Sequence, residues 1–190
     1  ALRICQARLG FNSTQAIGAQ AVRAEELKAL QAPLKDRYRT DPTTALVTLR
    51  ASGQLDETAV SCRVETGHAL VEAGLHPATG GTGLQACSGD LLLQALVACA
   101  GVTLRAVATA LGLQVQGGQV RAEGDLDFRG TLGVSKDVPV GFRAIRLHFE
   151  LDTTASEEEL ATLLKLTERY CVVLQTLRTP AELEVDLRVA

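Results

Sequence analysis

Five cysteines (Cys5, Cys62, Cys87, Cys99, Cys171) and three histidines (His68, His76, His148) are the residues here whose types could carry nucleophilic, redox or metal chemistry. The spacing narrows the choice. No C-x-x-C pair occurs and no two histidines stand three to five residues apart, so neither a zinc site nor any other metal or cofactor is expected. Ser88 with His76 supplies the residue types of a hydrolase. It comes with neither a G-x-S-x-G elbow nor a matching acid. The "GGTG" at residues 80–83 fits neither G-x-G-x-x-G nor a Walker loop, and reads as a plain turn.

Free cysteines are commonly buried and behave as small hydrophobes. Redox work asks for more: a setting that favours the thiolate, and a second thiol that can trap the sulfenic acid formed on attack at a peroxide. Cys99, within "LVACAGVTL", and Cys171, within "TERYCVVLQTL", lie on the two strongest helical patterns. Cys99 is mid-helix, so its own helix terminus helps it little. A cation or hydrogen-bond donor must come from elsewhere in the fold or from another subunit. Cys87 is a rival partner, but it lies more than two turns from Cys99, beyond disulfide geometry. Cys5 and Cys62 read as structural.

The elements that must place these thiols follow from periodicity. Thr14 to Leu30 reads as a surface helix, with Ile17, Val22, Leu27 and Leu30 as contacts and Pro33 as its end, and "KDRYRTDP" (35–42) as a connector. "TTALVTLRA" and "TAVSCRVET" flank "SGQLDE" as a hairpin, and "HALVEAG" is a short third strand. The Gly-rich 74–90 leads into a long apolar helix closed by Gly112. "VRAEGDLDF" and "FRAIRLHFELD" alternate, with Ile145, Leu147, Phe149 and Leu151 on one face and Arg146, His148, Glu150 and Asp152 on the other. The intervening "RGTLGVSKDVPVG" is expected to be a loop. Ser156 and Glu159 have capping-box spacing. They open a helix with Leu160, Leu163, Leu164, Thr167, Tyr170, Cys171 and Leu174 on one face, and "AELEVDLRVA" is the cleanest period-two strand. The order ββ(β)–α–ββ–α–β predicts an α+β fold, with a largely antiparallel sheet packed on two core helices.

Composition bounds the rest. The chain has 190 residues, 46% hydrophobic and 22% charged, with net charge −3 and 3% aromatic residues. It lacks the basic tract and stacking aromatics of a nucleic-acid surface. The tract from Leu91 has nearly the length of a membrane span, but Gln94 and Arg105 interrupt it, which favours a buried core helix and no membrane. "ALRICQARLGFNSTQ" has no apolar leader core. With the odd cysteine count, this gives the expectation of a cytoplasmic protein.

"SGDLLLQALVACAGVTLRAVATALGL", followed at a distance by "TERYCVVLQTL" and a closing strand, resembles the OsmC/Ohr family, the osmotically inducible protein C and organic hydroperoxide resistance proteins. The likeness covers about residues 43 to 190, so residues 1–40 read as an N-terminal helical extension and 41–190 as the OsmC-like domain. It implies an interlocked homodimer with active sites at the subunit interface. It further implies a thiol-dependent peroxidase reducing organic hydroperoxides or hydrogen peroxide as an antioxidant function. Cys99 would be the peroxidatic residue and Cys171 the resolving residue, and a dithiol reductant such as a lipoyl group would restore both. The family's Asn-Pro-Glu turn is replaced by "CSGDL", where Gly89 takes the Glu register beside Asp90. The loop in which the family's Arg is sought, "GLHPATGG", offers His76. Asp90, His76, Arg63 and Arg169 are the candidate supporting residues. The alternative reading is an OsmC-fold binding protein for a small apolar or thiol-bearing ligand, without turnover.

Overall fold

The computed structural model describes residues 23–41, 52–55, 61–65, 70–133 and 135–189. Helix α1 (Ala24–Thr40) opens with Glu25 and Glu26 in its first turn, where unpaired N–H groups favour acidic side chains. Arg23 holds Glu26 there at 2.6 Å. The helix begins later than the sequence pattern predicts and runs through Pro33 into the expected connector. Proline removes one intrahelical hydrogen bond without stopping it. Residues 14–22 of the expected helix lie outside the described residues.

Four short strands follow in one sheet, ordered β1 (Ser52–Leu55), β2 (Ser61–Glu65), β3 (Leu70–Gly74) and β4 (Ala86–Cys87). The hairpin is present but displaced: β1 is the "SGQL" that reads as a turn, paired antiparallel from Ser52↔Glu65 to Leu55↔Cys62. Pairing to β2 overrides the weak strand preference of Ser and Gly. The expected first strand, 43–51, and the connection 56–60 lie outside the described residues. β3 pairs antiparallel with β2, and β4 pairs parallel with β3. The Gly-rich stretch is a loop as expected, with a 3-10 turn at Pro77–Thr79 closed by Gly80 at φ 91.

Helix α2 (Ser88–Leu111) carries a buried stripe of Leu96, Ala100, Leu104 and Ala108, and Gly112 ends it at φ 71. It is long and apolar enough to cross a membrane by composition, yet its stripe packs against α4, α5 and β5 of the same chain. Strands β5 (Val115–Asp125) and β6 (Ala144–Thr153) form an antiparallel ladder with an irregularity between Val115 and Gly117. Ile145, Leu147, Phe149 and Leu151 are half-buried, and the residues between them are exposed, as the alternation predicts. The expected loop between the strands holds a short helix, α3 (Phe128–Thr131), capped by the Asp127 carboxylate.

Helix α4 (Glu157–Tyr170) starts with the expected capping box: the Ser156 N–H donates to Glu159 at 2.7 Å, and the Glu159 N–H to Ser156 Oγ at 3.3 Å. One continuous helix through Cys171 is not what forms. Cys171 is extended (φ −73, ψ 106), and a second helix, α5 (Val172–Arg178), starts after it. Tyr170 is 57% exposed rather than on the buried face.

Among the described residues, the expected C-terminal strand has no pairing partner. Residues 181–189 join neither sheet, and Leu183, Val185, Leu187 and Val189 are 85–95% exposed. A ladder needs a partner, and alternation alone does not say which chain supplies it. The architecture among the described residues is α+β with two small sheets, and most strand pairs are antiparallel.

Candidate functional site

The core forms two adjoining clusters around α2. One joins Leu104, Ala108 and Val115 to Leu163 of α4. The other joins Leu96 and Ala100 to Cys171, with Cys99, Val173 and Leu174 packed against it. The fold therefore brings Cys99 and Cys171 into one apolar cluster. Cys171 is fully buried and Cys99 half-buried, and both are free thiols.

The break at Cys171 explains how the two thiols differ. The first N–H groups of a helix have no intrahelical partner, and those of α5 lie beside both thiols. Burial pushes the Cys99 thiol up. The Val173 N–H, the Cys171 thiol, the Val172 N–H and the Thr103 hydroxyl act against it, and the balance lies below the ordinary thiol value. Thr103 is the weakest of these, because its single hydroxyl hydrogen is donated to the Cys99 carbonyl at 2.8 Å. Burial also pushes the Cys171 thiol up. N–H groups of Leu174 and Val173 oppose this, but hydrogen bonding with Cys99 and the Cys99 charge add to it, and the net direction is upward. One thiol is biased to ionise and its neighbour to keep its proton. The two thiols therefore differ in their readiness to act as a nucleophile.

The other expected site residues stand apart from this pair. His76 accepts the Ala78 N–H on Nδ1 at 3.0 Å and stacks on Phe128, with centroids 4.8 Å apart. Asp90 is exposed in the first turn of α2, about 13 Å along the axis from Cys99. Arg169 lies over the Tyr170 ring at 5.5 Å in the last turn of α4. Arg63 sits on β2 opposite Gln54 and Glu72, and its side chain lies outside the described residues. Cys87 ends β4 and precedes α2 rather than lying in a loop. This puts it about 18 Å along the axis from Cys99, out of disulfide reach. Cys62 is in β2, as expected, and Cys5 lies outside the described residues.

The guanidinium groups on the β5–β6 side are taken up by carboxylates. Arg121 pairs with Glu150, Arg146 with Glu123 and Asp125, and Arg129 and Arg143 with Asp127. Hydrogen bonding from Arg129 holds the Asp127 carboxyl down to about 2. The groups acting on Cys99 are accordingly amide, thiol and hydroxyl. A Cβ at Gly89 would touch Phe142, Cys87 and Leu126, an apolar setting.

The residues that periodicity misses are Val172, Val173 and Thr103. Thr103, four residues after Cys99 in a helix, could have been found from spacing. The two valines act through backbone N–H groups that carry no side-chain signal.

Comparison with known proteins agrees with this arrangement. The family model described as OsmC-like protein matches residues 81–186. An OsmC-like protein from Mycoplasma pneumoniae is 20% identical over 70% of this chain and 89% of its own, with a TM-score of 0.58. An organic hydroperoxide resistance protein from Elizabethkingia anophelis is 17% identical over 71% and 91%, at 0.57. One from Legionella pneumophila is 18% identical over 70% and 91%, at 0.55. The search of curated proteins found no match. With more than half of its length matched, including both thiols and the helices that hold them, the chain belongs to the OsmC-like protein family.

Proposed function

We propose that this chain is a cysteine-based peroxidase of the OsmC/Ohr type, working as a cytoplasmic homodimer on organic hydroperoxides or hydrogen peroxide. The observation that carries the reading is the pair itself: Cys99 and Cys171 share one core cluster and are biased in opposite directions. The Cys99 thiolate attacks the distal peroxide oxygen, the O–O bond breaks, and the sulfur becomes a sulfenic acid. The leaving alkoxide takes a proton from solvent to become the alcohol. Cys171 then attacks the sulfenic sulfur, expels water and forms a disulfide. A dithiol, such as a lipoyl group, reduces the disulfide through a mixed disulfide and is itself oxidised. The apolar surround of Cys99 favours an alkyl hydroperoxide. Asp90, His76, Arg63 and Arg169 take no step in this scheme, and residues 1–40 are an extension to the catalytic domain.

The test is consumption of cumene or tert-butyl hydroperoxide by purified reduced protein. Cys99→Ser is expected to be inactive, and Cys171→Ser to react once and lose turnover. No consumption by the unaltered protein would overturn the proposal.

One observation favours a second reading, a binding protein without turnover: among the described residues, the groups acting on Cys99 include no cationic side chain. In that case Cys99 would bind its ligand or alkylate without accumulating a sulfenic acid under peroxide. Trapping with a sulfenate-specific dimedone probe separates the two.

A further inference from the structure

The break between α4 and α5 has its own hydrogen-bond accounting. The last carbonyls of α4 need partners outside the helix. The Cys171 N–H takes the Thr167 carbonyl at 3.0 Å. The Glu168 carbonyl is met from the other side of the break, by the Gln175 side-chain Nε2 at 2.6 Å. Gln175 also makes the first intrahelical bond of α5, its N–H donating to the Cys171 carbonyl at 2.9 Å. A single half-buried residue is thus bonded to both sides of the break, which contains neither proline nor glycine. The amide orientation follows from its partner, since a carbonyl accepts only from the nitrogen. A second link, Arg178 to Glu168 at 2.8 Å, is an exposed ion pair between half-exposed side chains and is weak by comparison.

We infer that Gln175 is a positioning residue: by tying α5 to the end of α4, it holds the N–H groups of Val172 and Val173 toward the Cys99 sulfur. The inference deepens the peroxidase reading and rests on Cys99 being the reacting thiol. Val173 and Leu174 pack in the same cluster as both thiols, so a small rotation of α5 moves the donors relative to the sulfur. The other charged groups beside the break are Glu168 and Arg178, paired with each other, and Arg169, which lies over Tyr170. Of these, only the Arg178–Glu168 pair also spans the break, through half-exposed side chains that solvent screens.

The experiment reads the thiol without any peroxide. The rate of Cys99 alkylation by iodoacetamide is followed against pH in the reduced full chain, with peptide-level mass spectrometry separating Cys99 from the other cysteines. Gln175→Met keeps length and helix preference and removes the donor. It is expected to move the Cys99 midpoint up by about half a pH unit or more, and to slow alkylation at pH 7 about threefold, the scale of one lost hydrogen bond. Gln175→Asn, whose amide is one methylene too short, is expected to do the same and serves if the Met variant does not fold. Arg178→Gln is expected to leave the midpoint in place. A folded Gln175 variant with an unmoved midpoint overturns the inference, whether or not its thermal stability drops. So does an equal shift in Arg178→Gln. Because no peroxide is consumed, failure of peroxidase activity is a separate result.

Discussion

At the scale of single residues, Cys99 and Cys171 show how little a cysteine's surroundings need to contain for the two to behave differently. Among the described residues, the groups acting on Cys99 are backbone N–H groups, a neighbouring S–H and a hydroxyl. This gives a sign that can be tested. The Cys99 thiolate is stabilised by folding, so its contribution to stability is present above the unfolded thiol value and is lost as pH falls through the lower folded value. Cys171 is the reverse: its contribution is present below the unfolded value and is lost as pH rises through the raised folded one. The two trends oppose each other in a melting curve, so site-resolved alkylation is the measurement that separates them. Cys171→Ala removes a donor and is expected to raise the Cys99 midpoint by about half a unit, while Cys171→Ser, which keeps an O–H, holds it near the original value. An Ala variant whose midpoint stays put would show that the S–H contributes nothing.

At the scale of elements, α2, α4 and β6 were legible because their apolar residues repeat at helical or strand spacing, whereas β1, the helix through Pro33 and α3 were not. The Leu96–Ala108 stripe, the capping box at Ser156 and the alternating faces of β6 follow from spacing alone. The break at Cys171 was not legible, because Leu163, Thr167, Cys171 and Leu174 keep helical spacing across it. The only local hint is the β-branched pair Val172 and Val173, which lose side-chain freedom in a helix. Thr167 makes the energetic case for α4. Its side chain is 1% exposed, and its hydroxyl has no hydrogen-bond partner among the described residues. Thr167→Val keeps the shape and β-branching and removes an unmet polar atom. The expected gain is about 1 kcal/mol, or about 2–4 °C in melting temperature for a chain of this size. Calorimetry showing a loss instead would mean that the hydroxyl is satisfied in solution.

At the scale of the whole molecule, residues 181–189 alternate as a strand would but form no strand among the described residues, because period-two spacing carries no label for a partner. The outcome bears on assembly. Leu183, Val185, Leu187 and Val189 stand exposed in the isolated chain, as does Val102 on the outer face of α2. Among the described residues the β5–β6 sheet has two strands, and a two-stranded sheet is marginal alone. Covering four aliphatic side chains offers about 1.5–3 kcal/mol each before the cost of association, a driving force for the proposed homodimer if two copies exchange these segments. We expect light scattering to give a particle of twice the 20.1 kDa chain mass. Val185→Asp combined with Leu187→Asp, which places two carboxylates on the face to be covered, is expected to shift it toward monomer. The same variant should raise the exchange of β5 and β6 amides, because the sheet loses its added strand. A monomeric unaltered protein, or a double variant that remains fully dimeric, would remove the C-terminal segment from the interface.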